Sequence, residues 1–264
     1  MAYRLLAADY DLTLTRPDRT VSNRVREAIQ RAAGRGKTVT LASGRLGGSA
    51  SQAAALFPGN VPLILCNGAV LQSSATGEIL RETVMDPAAA EAVIRWGAQW
   101  PGTCVVWCRD GMFADRLNEA AALYTTLAAQ APEAVTDPAA AARSGVHKIL
   151  LISHPETVAL ARADFLEHPV AEVNIFPSSP EVLEIVSPEA DKGTGLRQAA
   201  EWLGIPREEV IAVGDGENDI PMLRWAGLGV AMGNAPDNVK AAADLIAPPC
   251  SEDGAAWVMD NYLI

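Results

Sequence analysis

Positive charge is in short supply in this 264-residue chain. Lys and Arg together number 21 against 32 Asp and Glu, a formal net charge of −11. A chain this acidic repels nucleic-acid phosphates and anionic membrane surfaces, so neither is an expected partner. A small anion would need a locally positive site or a metal ion. Cysteine is scarce as well. Cys104 and Cys108 stand four apart rather than as a C-x-x-C pair, and no His-x-x-x-His run accompanies them. That excludes a zinc-finger spacing and leaves no disulfide framework. The four thiols read as small buried groups in a reducing, cytoplasmic setting. No apolar run approaches the roughly 20 residues of a membrane helix. The apolar N-terminus meets Asp9 and Asp11 before a signal-peptide core could form. No internal repeat is visible, and the only biased tracts are short alanine runs.

What is present suits a globular protein: 49% hydrophobic and 20% charged residues, enough for one or two domains with full cores. Apolar runs at 4–8, 38–42, 63–66, 210–213 and 229–231 read as buried strands. Helical spacing over 21–34 (Val25, Ala28, Ile29, Ala32, with Ser22 as N-cap), 193–203, 221–225 and 238–243 separates them. Such alternation predicts α/β architecture, a parallel sheet with helices on both faces. The middle differs. A helix over 87–99 precedes a hairpin of 103–108 and 112–115 around Arg109-Asp110-Gly111. A strand at 148–153, a helix at 156–167 and a strand pair at 172–176 and 181–186 follow. Residues 82–186 therefore read as an α+β module inserted into a core made of 1–81 and 187–264.

Two glycine-rich stretches carry no weight. Gly36-Lys37-Thr38 resembles the end of a P-loop, but Arg31 stands where its first glycine belongs. Gly227-Leu228-Gly229 runs into Met232 where a dinucleotide fingerprint needs Gly or Ala. The informative residues lie at the carboxyl ends of the core strands, where open parallel sheets bind ligands. Asp9-Tyr10-Asp11-Leu12-Thr13 ends the first strand, and Ser43-Gly44-Arg45 follows the second. Asp191-Lys192-Gly193 opens a helix, and Gly214-Asp215-Gly216-Glu217-Asn218-Asp219 follows the 210–213 strand. Lysine occurs only at 37, 148, 192 and 240, which singles out Lys192. Asp9 and Asp215 offer the hard oxygens Mg²⁺ prefers. A carboxylate can also form an aspartyl-phosphate, and Asp11 could protonate a leaving alcohol and then activate water. Ser43 and Lys192 could stabilise phosphoryl oxygens. Phosphoryl transfer needs little beyond such positioning and charge neutralisation.

These motifs, together with Asn67-Gly68-Ala69, Val230–Asn234 and Glu252-Asp253-Gly254, resemble the Cof-like (type IIB) branch of the haloacid dehalogenase (HAD) superfamily of phosphohydrolases. The resemblance spans nearly the whole chain. It implies a Rossmann-like core with an inserted C2-type cap. It also implies Asp9 as nucleophile and Asp11 as acid/base, with Mg²⁺ held by Asp9, the Asp11 backbone carbonyl and Asp215, and Asp219 in support. Ser43, Gly44, Lys192 and Asn218 would hold phosphate. The usual D-x-D-G-T pattern is broken at Leu12, where Gly is common, and Tyr10 replaces Leu or Met. The expected reaction is Mg²⁺-dependent hydrolysis of small phosphorylated metabolites such as sugar phosphates. The alternatives are a phosphoryl-transferring mutase and a catalytically weak phosphate-binding sensor. Substrate selection is expected from Arg45 and from inserted residues such as Arg109, His147, Lys148 and Asn174. Oligomeric state is not legible.

Overall fold

The computed structural model describes residues 2–128 and 130–264. The chain forms two compact units. One comprises the chain up to Gly44, Ala50–Arg81 and Asp191–Ile264; the other comprises Arg45–Ser49 and Glu82–Ala190.

The first unit opens with β1 (Leu5–Ala8), α1 (Asn23–Gly34), β2 (Thr38–Leu41), α2 (Gly47–Ala54), β3 (Pro62–Leu65), β4 (Val70–Ser73) and β5 (Ile79–Glu82), α2 beginning within the short stretch that belongs to the second unit. The second unit follows as α3 (Pro87–Gly97), β6 (Thr103–Cys108), β7 (Gly111–Ala114), α4 (Glu119–Ala128), β8 (Glu133–Ala134), α5 (Pro138–Ala141), β9 (Val146–Ile152), α6 (Pro155–Glu167), β10 (Asn174–Ser179) and β11 (Val182–Val186). The chain then re-enters the first unit through α7 (Lys192–Leu203), β12 (Val210–Gly214), α8 (Ile220–Trp225), β13 (Leu228–Ala231), α9 (Asp237–Lys240), β14 (Leu245–Ile246) and α10 (Gly254–Val258).

In the first unit five parallel strands lie in the order β14-β13-β12-β1-β2, and a parallel bridge from Ala42 to Ile64 adds the edge of β3. The central strands are apolar on both faces, as a sheet covered on two sides requires. One cluster joins Leu5, Ala7, Val210 and Ala212 to Leu196 and Ala199 of α7 and Met222 and Leu223 of α8. Helix α1 presents Val25, Ala28, Ile29 and Ala32 inward, and the Ser22 hydroxyl caps it by accepting from Val25 N at 3.1 Å. Register does the positioning: Ala8 pairs with Val213 on one side and Leu41 on the other. The chain therefore leaves β1, β2 and β12 at the same level, at Asp9, Ala42-Ser43 and Asp215.

The second unit is a six-stranded sheet in the order β10-β11-β9-β6-β7-β8, antiparallel except for the β7–β8 pair. Alternation sends Cys104, Val106, Ile149, Leu151 and Leu183 toward α3 and α6. Val105, Trp107, Leu150 and Val182 take the other face with Tyr124 of α4. The Trp107 indole N–H donates to the Tyr124 hydroxyl at 3.0 Å.

The α/β core with its inserted α+β module is as expected from the sequence. Helices α2, α4, α5 and α10 and strands β4, β5, β8 and β14 were not legible. Helix α2 (GGSASQAA) has no apolar stripe, and the alanine-rich α4 has no clear one. The strand expected at 172–176 begins only at Asn174, and the helix expected over 238–243 spans Asp237–Lys240. Among the described residues no helix is long and apolar enough to cross a membrane.

Candidate active site

Four charged side chains from three elements meet at the carboxyl end of the core sheet. Asp9 follows β1, Asp215 and Asp219 follow β12, and Lys192 is the first residue of α7. The buried Lys192 ammonium donates to Asp9 Oδ1 at 2.6 Å and to Asp219 Oδ1 at 2.5 Å. Asp219 in turn accepts with Oδ2 from the backbone N–H of Asp215 (2.9 Å) and of Gly216 (2.8 Å), which fixes the loop that carries Asp215. Gly214 has to be glycine here, because a Cβ would lie 2.4 Å from the Asp219 carboxyl carbon.

Oxygens of Asp9, Asp215 and Asp219 lie within 4.8 Å of one another, an arrangement able to hold a metal ion. Burial and the neighbouring carboxylates push Asp9 well above the ordinary range, against the pull of Lys192. Asp215 is pushed up to about 6, first by burial and then by Asp219, while Thr13 and Lys192 oppose the shift. Burial alone would lower the Lys192 pKa, but Asp219 and Asp9 more than compensate and hold it above its usual value. One ammonium against three carboxylates leaves negative charge uncompensated. Hard oxygen donors carrying excess charge are the set that Mg²⁺ takes, so the residues present fit that ion.

The other residues singled out in the sequence are placed as follows. Asp11 is exposed and close enough to Asp215 to raise its pKa. Ser43 is buried, its N–H donating to Ile64 O at 2.8 Å, and Gly44 ends the part of that loop belonging to the first unit. Asn218 is half-buried. Arg45 begins the short stretch that belongs to the second unit. Within that unit Arg109 and His147 converge on one carboxylate: Arg109 reaches Glu82 at 2.7 Å, and His147 Nε2 lies 2.8 Å from it. Lys148 is buried against Glu184 at 3.5 Å. Asn174 donates to the carbonyls of Pro188 and Ala190, each at 3.0 Å, and so holds the chain where it leaves the unit.

Three polar side chains without an assigned part in the sequence reading support this arrangement. Thr13 Oγ donates to Asp215 Oδ1 at 2.9 Å, and Asn234 Nδ2 donates to Asp215 Oδ2 at 3.1 Å, so both oxygens of that carboxylate are oriented. Asn234 also donates to Leu12 O (3.0 Å) and accepts from Cys250 N–H (2.8 Å), linking three loops. Asn67, buried at the end of β3, accepts from Asn218 Nδ2 at 3.0 Å. Asn67 and Asn234 lie in the Asn67-Gly68-Ala69 and Val230–Asn234 motifs that carry the family resemblance, which by themselves assign these side chains no part. Further out, Arg16 grips Asp253 through two hydrogen bonds of 3.0 and 2.8 Å, tying the Asp11 loop to the Glu252-Asp253-Gly254 motif.

A parallel α/β core with an inserted α+β unit and acidic residues gathered at the strand ends defines a class of hydrolase. The family description "haloacid dehalogenase-like hydrolase" matches residues 6–259, and the chain belongs to that family. Among its relatives, the 5-amino-6-(5-phospho-D-ribitylamino)uracil phosphatase YitU of Bacillus subtilis is 29% identical over 267 residues, covering 98% of this chain and 97% of YitU. A haloacid dehalogenase-like hydrolase from Bacteroides thetaiotaomicron superposes with a TM-score of 0.83 at 29% identity, covering 98% of each chain. The HAD subclass IIB sugar phosphatase BT4131 shares the fold, with a TM-score of 0.83 at 24% identity over 99% of this chain and 100% of its own.

Proposed function

We propose that this chain is a Mg²⁺-dependent phosphatase that hydrolyses phosphomonoesters of small metabolites, sugar phosphates or similar, through an aspartyl-phosphate on Asp9. The observation that carries the reading is the Asp9 carboxylate itself: buried, oriented by Lys192 at 2.6 Å, and set beside Asp215 and Asp219 at the end of a parallel sheet. A purely structural role for this group would leave two further carboxylates and their repulsion unexplained.

In the first half-reaction a carboxylate oxygen of Asp9 attacks phosphorus and the ester P–O bond breaks. Asp11, more exposed than Asp9, gives a proton to the departing alkoxide. In the second half Asp11, now ionised, takes a proton from water, whose oxygen attacks the aspartyl-phosphate. Phosphate leaves and Asp9 is regenerated. Lys192 opposes the burial that favours the protonated form of Asp9 and adds positive charge beside the phosphoryl oxygens. Ser43, Gly44 and Asn218 complete the phosphate cradle. Mg²⁺, held by Asp9, Asp215 and the Asp11 backbone carbonyl with Asp219 in support, would supply charge neutralisation between nucleophile and phosphate dianion.

The substrate class rests on the relatives. YitU acts on a phosphorylated ribityl group, and BT4131 is a sugar phosphatase. We assign residues 82–186 as a cap that selects the leaving group, with Arg45, Arg109, His147 and Lys148 as the side chains to probe. The test is a screen of sugar phosphates, nucleotides and cofactor phosphates with Mg²⁺, reading released inorganic phosphate. Release from at least one metabolite class is the expected result. Conversion of a phosphate ester to its isomer without phosphate release would make the chain a mutase. Binding without turnover would make it a sensor.

A further inference from the structure

We propose that Asn67 is a positioning residue for phosphate binding, acting through the side chain of Asn218; the proposal rests on the phosphatase reading of the same site. Three successive residues at the end of β3 adopt left-handed backbone: Cys66 at φ +50°, Asn67 at +52° and Gly68 at +92°. Only Gly68 does so without cost, and such strain persists where the surroundings over-determine it.

The surroundings here are the loops of the candidate site. The Asn67 N–H donates to Ser43 O at 3.1 Å, and its side-chain oxygen accepts from Asn218 Nδ2 at 3.0 Å. Gly68 lies against the start of α7, where a Cβ would come 2.0 Å from Asp191 O, one residue before Lys192. Residues 66–68 thus join three loops that supply Ser43, Lys192 and Asn218, which are up to 175 positions apart in sequence.

Asn67 does more than fill space. A primary amide can present either oxygen or nitrogen, and a phosphate oxygen accepts only from nitrogen. In the structure the Asn67 carbonyl oxygen is the partner that Asn218 Nδ2 donates to, and that contact selects one orientation of the Asn218 amide. One Nδ2 hydrogen goes to Asn67, and the second is the one for phosphate. Without Asn67 the amide can rotate and present its oxygen to an anion, which repels it.

The test is a double-mutant cycle of Asn67→Gly, Asn218→Ala and the pair. Glycine keeps the positive φ and the N–H donated to Ser43, so only the side chain is removed. For each variant, the readouts are KM and kcat with p-nitrophenyl phosphate, inhibition by inorganic phosphate, tungstate binding by calorimetry, and the melting temperature. The inhibition constant and KM should rise about 3–10-fold in Asn67→Gly, the loss of one oriented hydrogen bond, with a smaller change in kcat. The double variant should be no more than about twofold worse than Asn218→Ala. Multiplicative losses, or phosphate affinity unchanged in Asn67→Gly, would overturn the proposal. A wild-type chain that binds tungstate but hydrolyses nothing would overturn the phosphatase reading while the calorimetric cycle still decided Asn67. A chain that binds no oxyanion would overturn both.

Discussion

Leu12 occupies a left-handed conformation (φ +58°) in the loop after β1, held there by its N–H donating to Thr15 Oγ1 and by Asn234 donating to its carbonyl. A non-glycine residue at such a position costs roughly 1–2 kcal/mol, which is the physical reason glycine suits it. Leu12→Gly should therefore lie within about 1 kcal/mol of the parent, relief of strain offsetting lost packing and backbone entropy. Leu14, two residues on and 1% exposed, should lose about 2–5 kcal/mol on change to Ala. Urea denaturation of the two variants checks the contrast; equal losses would mean Leu12 is not strained. The proposed part of Asp11 predicts that Asp11→Asn slows turnover roughly 10²–10⁴-fold on sugar phosphates, whose alkoxide needs a proton. The loss on p-nitrophenyl phosphate should be smaller, because that leaving group departs unprotonated. Equal losses on both substrates would assign Asp11 to structure or metal instead.

Helix α7 couples packing of the core to the geometry of the site. Its first residue is the buried Lys192, and a positive charge at a helix N-terminus opposes the macrodipole. Asp9 and Asp219 compensate locally, and the Asp191 side chain caps the helix by accepting from Thr194 N–H at 2.7 Å. Two glycines let the helix come close to its neighbours. A Cβ at Gly193 would meet Pro221 O at 2.6 Å, and one at Gly195 would meet Ile64 Cγ2 at 2.4 Å. The Gly193 contact is with backbone and cannot yield by a rotamer change. Gly193→Ala should cost roughly 1–3 kcal/mol as overpacking and should also lower kcat, since any displacement moves Lys192. Melting temperature and p-nitrophenyl phosphate turnover measured together check this. A lowered melting temperature with unchanged kcat would separate α7 packing from the site.

Two expectations belong to the whole molecule. The Asp215 pKa is raised in the folded chain from 3.8 to about 6, so the folded state holds that proton more tightly than the unfolded chain does. Its stabilising contribution is full below about pH 4 and is lost as pH rises through about 6, on the order of 2–3 kcal/mol. Asp9 is shifted in the same direction. Without metal, the protein should therefore melt lower at pH 7.5 than these groups allow near pH 5. Millimolar Mg²⁺ competes with the proton and should raise the melting temperature more at pH 7.5 than at pH 5. Excess EDTA should abolish phosphate release. Undiminished turnover in EDTA, or an equal Mg²⁺ effect at both pH values, would remove the metal from the account. The second expectation concerns the inserted unit. Asn174 ties the exit segment, through Pro188 and Ala190, to the unit's own sheet, and each unit has its own apolar core. A chain with 82–190 replaced by a short linker should remain folded and retain slow, Mg²⁺-dependent hydrolysis of p-nitrophenyl phosphate. It should lose discrimination among sugar phosphates and gain activity on a phosphopeptide. A metabolite panel of kcat/KM values for both chains reads this, and an unchanged ranking would show that the insert does not set specificity.

Local pattern carried the architecture. Apolar runs such as LLAA and VIAVG, alternating with helical segments, suit strands buried on both faces of a parallel sheet, and the strand-end position of Asp9, Ser43 and Asp215 follows from that reading. The family could be read for the same reason, because its motifs are short segments at strand ends. Elements without periodicity, such as α2 and α4, were not legible, because tertiary packing rather than pattern makes them helical. The tertiary structure alone decided which side chains meet. Only folding places Lys192 at 2.6 Å from Asp9, 183 residues away, and lets Thr13 and Asn234 orient the two oxygens of Asp215. Only folding gives Asn67 its contact with Asn218, 151 residues on. Hydrogen bonds between loops depend on register and on the close approaches that Gly68, Gly193 and Gly214 permit. Those are distances in space, and a linear pattern of residue types does not contain them.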